Sequence, residues 1–206
     1  MRRVNVYCEG ISEETFINRM LVPELAVHGV FLRAMPFRGV SKYSKLKKSL
    51  SDLCKHDSEA IVTTMIDYYG LPSETPGYQQ SPDFDIYQQV ERTEQAIAAD
   101  IDADNFFPHI MMHEFEAMLF SDPQCFSLCG MDKQAIRMMQ SIKASYPTPE
   151  HINNSKNTAP SKRILHIYPQ YNKVADGYNI VAAIGLAAIR RECRHVDKWI
   201  KWLEGL

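Results

Sequence analysis

Three apolar stretches of this 206-residue chain each run into acid. "VNVYCEG" closes on Glu9 and Gly10, "IVTTMIDYYG" closes on Asp67 with Gly70 just beyond, and "NFFPHIMMHEFEA" closes on His113, Glu114 and Glu116. Carboxylates gathered from distant parts of a chain repel one another unless protons or cations offset the charge. Mg²⁺ or Mn²⁺ suits hard oxygen donors of this kind, and such a cation can hold a phosphate, acidify water and stabilise the charge that develops in phosphodiester cleavage. The candidate ligands are Glu9, Asp67 and one of Glu114 or Glu116. Glu13 could join them directly or through water.

Each of these residues also has an ordinary structural reading. Glu13 and Glu14 fit the first turn of a helix, where the positive end of the macrodipole favours acids. Glu14 is read as solvated. Asp67 could cap the turn toward Gly70, with Tyr68 and Tyr69 as packing aromatics. On a helix, His113 and Glu116 would share a face, three residues apart. His113 could then position water, carry a proton or ligate a metal, or simply hydrogen-bond at the helix start. "HEFEA" is not HExxH, since residue 117 is alanine, so a zinc protease is disfavoured.

The elements that must position these groups follow from periodicity. Val4 to Cys8 reads as a short strand and Ser12 as the cap of a helix, with Phe16, Ile17, Met20, Leu21 and Leu25 on its core face. A second strand is expected over Phe31 to Phe37 and a helix over Lys42 to Cys54, striped by Tyr43, Leu46, Leu50 and Leu53. Ala60 to Ile66 is β-branched and apolar throughout, the pattern of a central strand. Leu71 to Phe84 reads as a loop, Ile86 to Ile101 as a helix, and Phe106 to Met112 as a fourth strand, with Pro108 suiting an edge or a strand start. Alternating strands and helices give parallel α/β units, whose sites lie at the carboxyl ends of the strands.

The last third is helical in pattern: Met131 to Ser145, a short helix through Ile167 that Ser161 could cap, Tyr178 to Arg191, and His195 to Leu203, with a polar loop over Thr148 to Pro160. The expected organisation is an α/β core over residues 1–125 with a helical extension over 126–206 packed on it.

Composition narrows the partners. Hydrophobic residues at 45% support a real core, and 23 Lys and Arg against 25 Asp and Glu leave a formal charge of −2, so net charge announces no polyanionic partner. Any phosphate contact must come from local patches. Lys42, Lys45, Lys47 and Lys48 form one candidate, and Lys162, Arg163, Arg190, Arg191 and Arg194 supply others. Lys162 and Arg163 have the better claim, because a helix start adds backbone N–H groups to side-chain charge. Five scattered cysteines without a CxxC pair read as free thiols in a reducing compartment. With no secretory leader and no apolar run of membrane-spanning length, the expectation is a cytoplasmic protein.

"VYCEGISEE", "MIDYYG", "HEFEAMLFSDP", "TAPSKRI" and "IGLAAIRREC" together resemble the bacterial DUF4276 family, a TOPRIM-like group, over nearly the whole chain. TOPRIM domains serve topoisomerases, primases and nucleases of the overcoming-lysogenization-defect type. The resemblance implies a mostly parallel sheet flanked by helices and a mainly helical C-terminal part. On it, Glu9 matches the glutamate after the first core strand, Gly10 its following glycine, and Asp67 the first acid of the later motif. The same resemblance favours Glu116 over Glu114. A full DxD would place an acid at 69, where this chain has Tyr69; Glu13, Glu114 or Glu116 could supply the missing ligand.

Relatives of this kind are often encoded beside ATPases in bacterial defence gene groups. The leading expectation is therefore a Mg²⁺- or Mn²⁺-dependent nuclease acting on DNA or RNA, with Glu9, Asp67, His113 and Glu116 in catalysis and Lys162 and Arg163 on phosphate. The alternative is a non-catalytic TOPRIM-like regulatory subunit of an ATPase complex. A nucleotide-binding enzyme is weaker, since neither GxGxxG nor GxxxxGK[ST] occurs.

Overall fold

A computed structural model describes residues 1–37, 39, 41–78, 85–153 and 158–206. Parts of the loops expected over 71–84 and 148–160, and Val40 before the expected second helix, lie outside the described residues. The chain divides into two compact units, residues 1–111 with 201–206, and residues 112–200.

The first unit holds the sheet. β1 (Arg2–Cys8), β2 (Val30–Pro36), β3 (Ile61–Asp67), β4 (Phe106–Phe107) and β5 (Ile110–Met111) are joined by α1 (Ile11–Phe16), α2 (Val22–Ala26), α3 (Tyr43–His56) and α4 (Ile86–Ile101). The strand order is β2-β1-β3-β4, with β5 also on β3, and every pairing is parallel. An interior strand is covered on both faces, which is why β3 is buried continuously from Val62 to Asp67. Val4, Val6 and Cys8 supply the buried alternation of β1.

Local departures from the expected elements have local causes. α1 starts at Ile11 with extended Gly10 as its cap, so Ser12 lies inside the first turn and does not cap it. The helix then widens into a π-helical segment, Ile17–Leu21, before restarting as α2 with Pro23 in its first turn. Proline has no N–H to continue an α-helical ladder, and the wider turn keeps Phe16, Ile17, Leu21 and Leu25 fully buried. In α3, Lys47 pairs with Asp100 at 2.8 Å and Lys48 with Asp52, so half of the first candidate basic patch is already neutralised.

The fourth expected strand is two short ones. Pro108 interrupts the ladder, and β3 pairs with Phe106–Phe107 below the break and Ile110–Met111 above it. The side chain of Thr64 fills the gap: its hydroxyl donates to the His109 carbonyl at 2.7 Å and accepts the His109 N–H at 2.9 Å.

The second unit opens with 3₁₀ turns at Phe115–Ser121, Pro123–Cys129 and Pro149–His151 and carries α5 (Lys133–Ala144), α6 (Pro160–Ile167), α7 (Ala175–Ile184), α8 (Leu186–Glu192) and α9 (Arg194–Glu204), which runs on into the first unit. Met118, Leu119, Phe120, Phe126, Met139, Ile164 and Ile180 form its core. The single helix expected over 178–191 is broken at Gly185, whose φ of 77° leaves the right-handed region. The buried Glu150 carboxylate accepts N–H bonds from His195 and Val196, capping α9. Among the described residues no helix is long and apolar enough to cross a membrane.

Thr64→Val keeps the shape of the side chain but leaves two buried backbone groups of His109 unpaired. It is expected to destabilise the first unit by about 1–3 kcal/mol in urea unfolding.

Candidate functional site

Parallel pairing of β1 with β3 sets Cys8 opposite Met65, and the ladder continues one step further, with the Glu9 N–H donating to the Met65 carbonyl at 3.3 Å. The Glu9 carboxylate therefore reaches the end of β3, where its Oε2 accepts the Asp67 N–H at 3.3 Å. Gly70 makes the space. A Cβ at that position would lie 2.6 Å from Glu9 Oε2, closer than any packed carbon can sit. Asp67 is itself only 8% exposed.

Glu13 completes the group from the first turn of α1. Its carboxylate packs against Gly10, where a Cβ would meet Oε2 at 3.3 Å, and the residue is 3% exposed. Among the described residues this carboxylate makes no hydrogen bond or ion pair. Burial, with the negative charges of Glu13 and Glu14 behind it, pushes the Cys8 thiol up to about 12, so Cys8 is a neutral neighbour and not a thiolate ligand. The three carboxylates are not closed into a cage: among the described residues they do not present oxygens all within 4.8 Å of one another. By chemical type, carboxylate oxygens are the hard donors that Mg²⁺ or Mn²⁺ prefers. Tyr68 is a core residue whose ring meets that of Tyr78 at a tilt of 56°, and half-buried Tyr69 sits where a further acid was expected.

The remaining candidates belong to the second unit. His113 is not on a helix. It has a left-handed φ of 63°, and the 3₁₀ turn begins two residues later at Phe115, so the shared helix face expected for His113 and Glu116 does not exist. Burial, assisted by His151, lowers the His113 pKa to about 4, and Nδ1 lies 3.4 Å from the Asn153 side-chain nitrogen. The imidazole is thus neutral at ordinary pH.

Glu114 Oε2 accepts the Ser161 N–H at 3.0 Å. Ala159 is the cap of α6 and Pro160 has no N–H, so Ser161 is not the cap and the first donor of this helix is already spent on Glu114. Lys162 and Arg163 must act through their side chains. Lys162 is exposed, with no hydrogen bond or ion pair among the described residues. Arg163 is held by the Thr158 carbonyl at 2.7 Å and the Tyr146 hydroxyl at 2.6 Å.

Glu116 has no exposed surface. Lys173 Nζ lies 3.1 Å from its Oε2, an ion pair by distance only, because neither carboxylate oxygen accepts a well-directed hydrogen bond. Burial raises its pKa to about 7 against the pull of Lys173, and Glu114 adds to the rise. The buried Tyr171 hydroxyl, without a hydrogen bond, is pushed up by burial and then by Glu116. Lys173, Tyr171 and Asn153 carry no motif that periodicity or spacing marks.

The family model described as Domain of unknown function (DUF4276) covers residues 8–204. The chain belongs to the DUF4276 family. No curated protein matches it. Among solved structures, this DUF4276 chain resembles the C-terminal region of the Burkholderia pseudomallei OLD protein, with TM-score 0.52, 12% identity and 99% of each chain covered. The C-terminal region of the Xanthomonas campestris pv. campestris OLD protein gives TM-score 0.44 and 13% identity, covering 98% of this chain and 95% of that one. The Burkholderia likeness matches the fold expected from the sequence, a mostly parallel sheet with helices and a helical C-terminal part.

Gly70→Ala forces the end of a flexible glutamate aside, not the backbone. Stability should change by less than about 1 kcal/mol in urea unfolding, while Mn²⁺ affinity measured by titration calorimetry should fall at least ~10-fold. Glu116 gives a pH signature in metal-free protein. Between its usual 4.5 and about 7 the folded state keeps a proton that the unfolded chain has released, so stability falls as pH rises through that window and then levels. Urea unfolding at several pH values should show this fall, up to about 3 kcal/mol, and Glu116→Gln should remove it.

Proposed function

We propose that this DUF4276 protein is a divalent-metal-dependent phosphoesterase that cleaves DNA or RNA. The observation that carries the reading is Glu9 and Asp67 meeting at the ends of adjacent parallel strands, with Glu13, 3% exposed, in the first turn of the helix that follows β1. Glu9, Glu13 and Asp67 would hold Mg²⁺ or Mn²⁺, with Glu116 as a further candidate. A bound cation of this kind supplies charge for the phosphate and a water acidic enough to attack it.

The chain's own groups account for the rest. Gly70 and the Asp67 N–H fix the direction of the Glu9 carboxylate. Neutral His113 has a lone pair able to take a proton. Glu116, with its pKa near neutrality, can hold or release one. Lys162 and Arg163 would orient the phosphate. The family resemblance supplies the setting, an effector in bacterial defence with an ATPase encoded nearby as partner.

Tyr69 favours a second reading, a TOPRIM-like scaffold that binds or regulates without cleaving, because it removes one acid of the fuller motif. Glu9→Gln/Asp67→Asn separates the two. If the enzyme reading holds, the folded double variant loses saturable Mg²⁺ and Mn²⁺ binding in calorimetry and at least ~100-fold in cleavage of labelled DNA or RNA. Cleavage unchanged in the variant sinks the assignment of both acids. Wild type that neither binds metal nor cleaves, alone or with the ATPase, supports the scaffold.

A further inference from the structure

α5 and α6 enclose a cavity of about 780 Å³ within the second unit, inside the usual range for ligand sites. Gln134, Arg137, Met138 and Ser141 recur at helical spacing along one wall, and Lys162, Arg163 and His166 face them from the other. No carboxylate is among the described residues that line it.

The basic groups here differ from the lysines of α3, half of which are tied to acids. Arg137 and Lys162 are exposed and make no hydrogen bond or ion pair among the described residues. Arg163 commits Nε to Thr158 and one terminal nitrogen to Tyr146, lies 5.3 Å over the Tyr146 ring, and keeps its other terminal nitrogen. Between the cations lie apolar side chains, Ile142 and Met138, the latter 45% exposed. Uncommitted cations around an apolar floor match a ligand with both phosphate and a flat apolar face.

We propose that this groove binds an unpaired nucleotide of a single strand, its base against Met138 and Ile142 and its flanking phosphates on Arg137, Lys162 and Arg163. The proposal rests on the reading of the protein as one that acts on nucleic acid, and names the form it takes. A duplex offers its backbone to a surface and keeps its bases stacked inside, so it would use the cations and leave the apolar floor unfilled.

The test is fluorescence anisotropy in EDTA with a labelled single-stranded DNA oligonucleotide, its RNA counterpart and a blunt duplex of the same sequence. Wild type should bind at least one single strand more tightly than the duplex. Arg137→Ala/Lys162→Ala, both exposed positions, should weaken that binding at least ~10-fold at about 50 mM salt and flatten its salt dependence by about one unit of slope. Met138→Glu should weaken the single strand more than the duplex. Equal binding of strand and duplex, no binding by wild type, or a double variant that binds like wild type overturns the proposal. Cleavage is scored separately with Glu9→Gln. Groove-dependent binding without any cleavage rejects the nuclease reading and keeps the groove; cleavage and binding both insensitive to Arg137→Ala/Lys162→Ala, with cleavage still lost in Glu9→Gln, reject the groove and the phosphate role of Lys162 and keep the metal-dependent nuclease.

Discussion

The register between β1 and β3 is the constraint on which the acidic site depends. With Cys8 paired to Met65, Glu9, one residue past the end of β1, comes level with Ile66, and its carboxylate reaches the N–H of Asp67, the last residue of β3, whatever the chain does in between. A slip of one residue would turn every side chain of β1 to the opposite face and bury Asn5 and Tyr7 in place of Val4, Val6 and Cys8. The hydrophobic pattern that fixes the core thus also fixes where Glu9 meets Asp67. Folding and site assembly share one interaction.

Burial gives the acids of the two units different fates. Glu116 is wholly buried, yet Lys173 supplies an opposing charge, and the remaining cost appears as a carboxyl with a pKa near neutrality. Glu13 is 3% exposed and makes no ion pair among the described residues. A structural acid is expected to carry its counter-charge with it. An acid left without one, beside two others at a sheet edge, is the arrangement that a bound cation would relieve.

What could be read from residues alone tracks how local each cause is. β1, β3 and their acids were legible because apolar runs, terminal acids and following glycines lie within a few residues of one another. The family resemblance then tied them into a TOPRIM-like sheet. The break at Pro108 was half legible: the proline warned of an edge, but its repair comes from Thr64, a residue of another strand that had read only as part of an apolar run. The left-handed backbone at His113 could not be foreseen, since a non-glycine residue gives no signal for a positive φ. Ser161 looked like a cap because serine caps well, whereas Pro160 starts the helix one residue earlier and Glu114 takes the Ser161 N–H. Lys173 and Tyr171 acquire meaning only once folding sets them against Glu116.

Charge distribution decides how a slightly acidic chain could meet a polyanion. With a net charge of −2 its long-range field offers no attraction, so affinity must come from cations within a few ångströms of phosphate. Counting lysines and arginines overstates that supply. Arg3 is held by Asp57, Lys47 by Asp100, Lys48 by Asp52, Lys143 by Glu192 and Arg190 by Asp197, and each pair is spent on the fold's own surface. Among the described residues Arg137 and Lys162 have no acid beside them, and they share a concave wall with apolar side chains. Two uncommitted cations placed together offer a ligand more than several paired ones, because no internal ion pair has to break before phosphate can bind.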